Sequence, residues 1–290
     1  MDTLKQSFVN VFAPYKTRVE QAMLNDLRSW NDGTELQKAC EYVLMNGGKR
    51  WRPAVVLVIA DAIGRGRDAL KAALAVEYFH SASLVVDDLP CMDNEEERRG
   101  KPVAHLVYGE ATSLLVSYAL IAEGYKAICQ NAHEAENAEA VRHEALINVT
   151  ENMGIHGVTG GQYLDLYPPK LDEENVLEVL RKKTVALYEV AFVLGWLFGG
   201  GALEKLPVVK RAAHHFGMAF QIADDFGDVE QDALNERAIN LATVCGKKRA
   251  EEVFHVELAG YRQAIKELSL DRSPLSLIGD FLESIAADFA

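Results

Sequence analysis

Cysteine is sparse: Cys40, Cys91, Cys129 and Cys245 are the only four in 290 residues, and no two have the short spacing of a metal-binding pair. A disulfide framework and a thiolate zinc site are therefore excluded as organising features, and the thiols fit a reduced, cytoplasmic protein. Proline is also rare, at 8 residues, so long helices can run uninterrupted. Strand-like alternation is scarce, which removes the all-β classes. Basic residues are the minority charge: 30 Lys and Arg stand against 43 Asp and Glu, and the net charge of −13 argues against nucleic acid as a partner. No apolar run suffices for a bilayer. The nearest approach, residues 185–203, is interrupted by Glu189 and by the triplet Gly199, Gly200 and Gly201, and is expected as a buried helix. The N-terminus lacks a basic region followed by an apolar stretch and a cleavage site, so secretion is not indicated.

What is present is helical. Hydrophobic residues make up 49% of the chain, ample for a core. Long helical stretches are broken at Gly64-Arg65-Gly66, Tyr167-Pro168-Pro169, the glycine triplet, and Ser273-Pro274, which are short breaks of the kind that join antiparallel neighbours. Residues 131–140 read as an exposed helix end or loop. With no compositional break, the expectation is one all-α helical bundle spanning residues 1–290 as a single domain.

Two aspartate clusters carry the chemistry: Asp87-Asp88-Leu89-Pro90-Cys91-Met92-Asp93 and Asp224-Asp225-Phe226-Gly227-Asp228. Pro90 disfavours helix at Leu89, so a helix should end there with Asp87 and Asp88 in its last turn. That is the negative pole of the helix, where carboxylates are unfavourable unless a cation binds. Gln221, Asp224, Asp225 and Asp228 follow i, i+3, i+4, i+7 and predict one polar stripe on a second helix. Clustered hard oxygen ligands suit magnesium, with manganese as a substitute, shared with the phosphates of a substrate. Cations are grouped as well. Gly47-Gly48-Lys49-Arg50-Trp51-Arg52-Pro53 and Arg98-Arg99-Gly100-Lys101-Pro102 place Arg forks and Lys charges where phosphate oxygens could be met, with a helix starting at or after Pro53. A polyphosphate substrate reconciles the acidic chain with an anionic ligand, because a few nearby charges outweigh a distant diffuse balance.

In this order, the motifs resemble the trans-isoprenyl diphosphate synthases: Gly47-Gly48-Lys49-Arg50, the first aspartate motif, Arg98-Arg99-Gly100-Lys101-Pro102, Gly161-Gln162 with Asp165, Lys183-Thr184, and Phe220-Gln221 leading into the second aspartate motif. The resemblance implies the isoprenoid synthase bundle with a central substrate cavity, and a homodimer. It also implies the joining of isopentenyl diphosphate to an allylic diphosphate, most simply to make geranylgeranyl diphosphate. By that resemblance Asp87, Asp88 and Asp224 hold metal, with Asp93, Asp225 and Asp228 supporting. Lys183, Thr184 and Gln221 present oxygens to the allylic cation, while Arg98 and the Lys183 ammonium hold the allylic diphosphate. Lys49, Arg50, Arg99 and His80 hold isopentenyl diphosphate, and Gln162 and Asp165 face the site. Ala82 and Ser83, small residues before Asp87, leave room for a long tail and so set product length. Gly154, Gly157, Gly160 and Gly161 read mainly as packing positions.

Two departures from the family pattern stand out. Residues 229–245 contain neither Gly nor Lys, where relatives carry Gly-Lys pairs, and Ala238 falls where the trailing Lys would be, with Arg237, Lys247 or Lys248 as replacements. Ser117-Tyr118 replaces the family's Gly-Asp. Three alternatives follow: a farnesyl diphosphate synthase, a class I terpene cyclase, which does not need the Gly-Gly-Lys-Arg motif, and a non-catalytic regulatory subunit, which would ordinarily lose aspartates that are intact here.

Overall fold

The computed structural model describes residues 2–30, 32–65, 68–133, 135, 137–232 and 239–288. In chain order the helices are α1 (Asp2–Ser29), α2 (Glu35–Leu44), α3 (Trp51–Ile63), α4 (Leu70–Asp87), α5 (Ala104–Tyr108), α6 (Glu110–His133) and α7 (Ala138–Met153). They continue with α8 (Val158–Leu166), α9 (Glu173–Leu180), α10 (Ala186–Phe198), α11 (Leu206–Asp232), α12 (Leu241–Cys245), α13 (Lys247–Glu267) and α14 (Pro274–Asp288). A π turn, Arg181–Val185, joins α9 to α10. Among the described residues the only strands are β1 (Glu97–Arg98) and β2 (Lys101–Pro102), paired antiparallel with Arg98 opposite Lys101. The all-α expectation holds.

The apolar run read as a buried helix is α10, and every residue in it except Glu189 is buried. A helix that is apolar all round needs neighbours on all sides, and α10 packs against α3, α4, α7 and α11. Residues 53–60 of α3 are all buried as well. No described helix is long and apolar enough to cross a membrane.

Helix ends follow local chemistry. α4 stops at Asp87, with Asp88 as its C-cap, as Pro90 requires. α3 begins at Trp51, slightly earlier than expected, with Pro53 in its first turn, where a missing N–H is harmless. The glycine series breaks the helical sequence in two: α7 ends before Gly154 and α8 begins after Gly157. Gly161 is the packing position among them, since a Cβ there would lie 2.6 Å from the Lys183 backbone nitrogen, so α8 can press against the π turn. Asn131 departs from its expectation. It is buried, its Nδ2 donates to the Asp68 carbonyl (2.8 Å), and its Oδ1 accepts from the Ala72 N–H (2.8 Å), so it caps the start of α4.

Candidate active site

The π turn connects the C-terminal end of α4 to the middle of α11 through two neighbouring side chains, Lys183 and Thr184. The Lys183 ammonium pairs with Asp165 of α8, and its charge is felt by Asp87 and Asp93. The Thr184 hydroxyl donates to Gln221 Oε1 at 2.9 Å, and Gln221 lies one turn before Asp224 on α11. Gln221 Nε2 in turn donates to Asp225 Oδ1 at 2.9 Å, which fixes the amide's orientation. π turns recur at functional sites because their extra residue re-aims side chains without ending the helix.

The aspartates divide by environment. Asp87 is half-buried, and desolvation pushes its carboxyl up to about 7, with Asp93 and Asp88 also raising it and Lys183 and Arg98 opposing. Burial likewise raises Asp93, against the pull of Lys183. Asp88, by contrast, is buried and gripped by Arg98 through Nε (2.8 Å) and Nη2 (2.5 Å) to Oδ1. Asp225 is also buried, accepting from Gln221 and from the Leu241 N–H at 3.1 Å, so it ties α11 to the start of α12. Asp224 is exposed. The predicted polar stripe therefore turns half inward at Asp225. Asp228 falls on α11, but its side chain lies outside the described residues, as do Arg237 and Ala238.

These carboxylates fit a magnesium-type cation. Asp93 raises the pKa of half-buried Asp87, Asp165 raises that of Asp93, and Gln162, whose Nε2 reaches Asp93 Oδ1 at 3.3 Å, leaves its buried Oε1 without a partner beside them. An all-oxygen donor set with a half-buried, under-compensated carboxylate is the environment a hard divalent ion satisfies.

The sign of the Asp87 shift gives a measurable consequence. A carboxyl with a raised pKa binds its proton more tightly when folded, so it adds stability as pH falls from 7 toward its ordinary range of about 4, at up to about 1.4 kcal/mol per pH unit. Metal competes with that proton. Apparent magnesium affinity should therefore weaken by about tenfold per unit below pH 7. Calorimetric titration at pH 6 and 8 checks this, and Asp87→Asn should flatten the dependence.

Cations gather around His80, two turns before Asp87 on α4. The imidazole of His80 is pushed well below its ordinary pKa, first by burial and then by Arg52, Arg99, Arg98 and Arg50. Arg99 and Gly100 are the two central residues of the β1–β2 turn, with φ of 57° and 80°. From there the Arg99 guanidinium reaches Gly47, donating to its carbonyl at 2.5 Å, and a Cβ at Gly48 would strike that guanidinium at 2.6 Å. The first Gly-Gly pair is thus shaped around Arg99.

Arg50 is held differently from the other cations of its motif. Only 3% exposed and in the left-handed region at φ 55°, it pairs with the buried Glu77 of α4, donates to the Leu44 carbonyl at 2.6 Å, and lies 3.5 Å from Glu20. It is anchored in the core between α1, α2, α3 and α4, and its charge still reaches His80 and Arg99. Arg52 is grouped with these cations in the sequence but is given no role of its own there. It sits among the cations around His80, 4.6 Å above the Tyr188 ring, with its buried Nε unpartnered. Tyr188 is pushed up to about 12 by burial, with Asp224 raising it further, so Arg52 also stands toward the second aspartate cluster. Lys49 is exposed at the rim of a separate apolar groove lined by Phe8, Phe12 and Trp51.

Below Asp87 a cleft of 380 Å³ is lined by Ala82 and Ser83 on one side and by Ser117, Ile121 and Tyr163 among others. Its wall is largely apolar. Cleft, carboxylates and cations together describe a site for a charged head with an apolar tail.

Comparison with known proteins agrees. The polyprenyl synthetase family pattern matches residues 33–238. The chain belongs to this family. As a polyprenyl synthetase family member it is 39% identical over 207 residues to geranylgeranyl pyrophosphate synthase 6, mitochondrial, of Arabidopsis thaliana, covering 69% of this chain and 61% of that relative. It is 31% identical over 264 residues to farnesyl diphosphate synthase of Bacillus subtilis, covering 85% and 88%. The chain thus spans under two thirds of the length of the first Arabidopsis relative. Among solved structures, geranyltransferase from Legionella pneumophila superposes with a TM-score of 0.83 at 27% identity, covering 98% of both chains. The fold of this polyprenyl synthetase family member is that of isoprenyl synthases.

Proposed function

We propose that the chain is an active magnesium-dependent prenyltransferase that joins isopentenyl diphosphate to allylic diphosphates and yields chiefly geranylgeranyl diphosphate. The observation that carries this reading is the path from Asp87 and Asp93 through Lys183 and Thr184 to Gln221 and Asp224, which joins a diphosphate-type metal site to a row of oxygen dipoles. Asp87, Asp93 and Asp224 would hold magnesium, which would supply positive charge against that building on departing diphosphate. Lys183 and Arg98 add fixed positive charge beside it, and Asp88 keeps the Arg98 fork oriented. The Thr184 and Gln221 oxygens face the opposite need, an electron-poor allylic carbon, and the Asp225–Gln221–Thr184 chain holds them in place. Arg52, Arg99 and His80 offer a metal-free anion site for isopentenyl diphosphate. The released diphosphate takes the proton lost from the condensing carbon.

Incubating the protein with magnesium, isopentenyl diphosphate and dimethylallyl, geranyl or farnesyl diphosphate should give a twenty-carbon diphosphate. Absence of any elongated product would overturn the reading.

Product length should follow the cleft wall. Ala82 is 1% exposed, so Phe there both narrows the cleft and overpacks the α4–α6 contact, at about 1–3 kcal/mol. Ser83 is half-buried and has more room. Ala82→Phe and Ser83→Phe should each shift product from twenty to fifteen carbons, read by chromatography of the dephosphorylated products. An unchanged product from both would move the stop to α6, at Ser117 and Ile121.

We further propose one functional domain over residues 1–290, supported by a core that runs from Phe8 to Ala286. Leu114, Leu115 and Tyr118 on α6 are exposed and apolar, which supports a homodimer through that face, checked by light scattering. Four free thiols suit a reducing compartment such as the cytoplasm.

A further inference from the structure

α11 and α13 pack along one another. Between them three metal-ligating side chains converge, none of which has a part in the reaction proposed above. His214 and His215 on α11 and Glu257 on α13 each offer one ligand atom, and all three atoms lie within 4.8 Å of one another. His215 Nδ1 is 2.6 Å from Glu257 Oε2, with the two side chains 29% and 15% exposed. The His214 and His215 rings meet edge to face at a centroid separation of 5.5 Å.

A second observation marks this as a built feature. Gly260 lies one turn after Glu257 on α13, and a Cβ there would come within 2.7 Å of His215 Cε1, Nδ1 and Nε2. Glycine is a destabilising choice inside a helix. Here it lets the imidazole lie flat against the α13 backbone, beside the carboxylate.

The ligand chemistry differs from that of the aspartate cleft. Two imidazoles and one carboxylate suit zinc, cobalt, nickel or copper, whereas magnesium prefers oxygen alone. Ligand atoms around a tetrahedral ion with bonds near 2.1 Å stand roughly 3.4 Å apart. Binding would draw the triad in from the 4.8 Å within which its ligand atoms now lie, with water at the fourth position.

We propose that His214, His215 and Glu257 bind one first-row divalent transition metal ion of the zinc class, separately from the aspartate cleft, and that the ion pins α11 to α13. Its reach toward the reaction is mechanical. His215 precedes Gln221 by six residues, about 9 Å along the same helix, so an ion there stiffens the segment that presents Gln221 and Asp224.

The test uses the full chain, stripped with chelator and then held in excess magnesium to fill the carboxylate cleft. Zinc titrated against a chromophoric competitor should show one ion bound per chain. His214→Ala and Glu257→Gln should each weaken it by at least about tenfold, since even partners behind a metal's ligands are worth that much. The thermal midpoint of wild type should rise with zinc, and that of Glu257→Gln should not. Because a variant could loosen the α11–α13 contact by itself, cobalt is added to the unaltered chain as well, where a visible d–d band of four-coordinate intensity is expected. Failure of the wild type to bind zinc or give that band, or zinc affinity in both variants equal to wild type, overturns the site.

Discussion

Asp87→Ala and Asp224→Ala should each lower turnover by about 100- to 1000-fold, the range seen when one preorganised electrostatic contact to a developing charge is removed. Helical content should stay as it is, because neither carboxylate holds the fold together. The Asp87 carboxylate makes no hydrogen bond among the described residues and carries a raised pKa, and Asp224 is exposed on α11. Stability separates this from a structural role. Removing a half-buried, under-compensated carboxylate should leave the metal-free protein as stable as wild type or more so at pH 8, whereas Asp88→Ala would free the Arg98 fork and loosen the hairpin. Steady-state kinetics at saturating magnesium, together with thermal melts, checks both halves. Near-wild-type turnover in either alanine variant would mean that the two clusters do not act on one leaving group.

Arg50→Met is expected to do the reverse, with a large loss of stability and, in whatever folds, a nearly unchanged Michaelis constant for isopentenyl diphosphate. The Arg50 and Glu77 side chains are 1% and 2% exposed, so removing the cation strands a carboxylate in the core, which costs about 3–5 kcal/mol. The double variant Arg50→Met, Glu77→Met should recover most of that loss, since a buried ion pair is often matched by apolar residues of similar volume. Arg52→Ala makes the contrast: it should raise that Michaelis constant while leaving the melting midpoint almost unchanged. Urea denaturation of the four proteins decides the matter. A stable Arg50→Met with weakened isopentenyl diphosphate binding would return Arg50 to the substrate site.

Why these two arginines could not be told apart in sequence has a simple cause. Residues two apart on a helix point about 200° from one another, and which of them faces inward depends on where the helix begins. α3 begins at Trp51, and Arg50 sits just outside it in a left-handed conformation that no propensity announces. A clue was available in Glu77, one charge in the middle of the apolar run of α4, because a buried carboxylate demands a cation from elsewhere. The same limit applies at the aspartates. Clustering marked both sites and Pro90 fixed the end of α4, but Asp224 and Asp225 differ only by the 100° between neighbours, and the Leu241 N–H that claims Asp225 lies 16 residues away. Composition and periodicity sufficed for the helical bundle and its buried α10, because those depend on averages over many residues. Asn131, judged by its polar surroundings, failed as an average: its long-range cap on α4 is a single-residue event.

The π turn at Arg181–Val185 closes on a hydrogen bond from the Ala186 N–H to the Arg181 carbonyl, five residues apart instead of four. Seen as an inserted residue, it advances the phase of everything after it by about 100°. One continuous rod thereby obeys two registers. α9 can keep Glu173 and Glu178 on a wet face set by its own neighbours, while α10 presents its apolar circumference to the core in an unrelated phase. Substitutions on the outer register need not disturb the inner one, so the surface of this rod is free to drift while Lys183 and Thr184 stay at the joint.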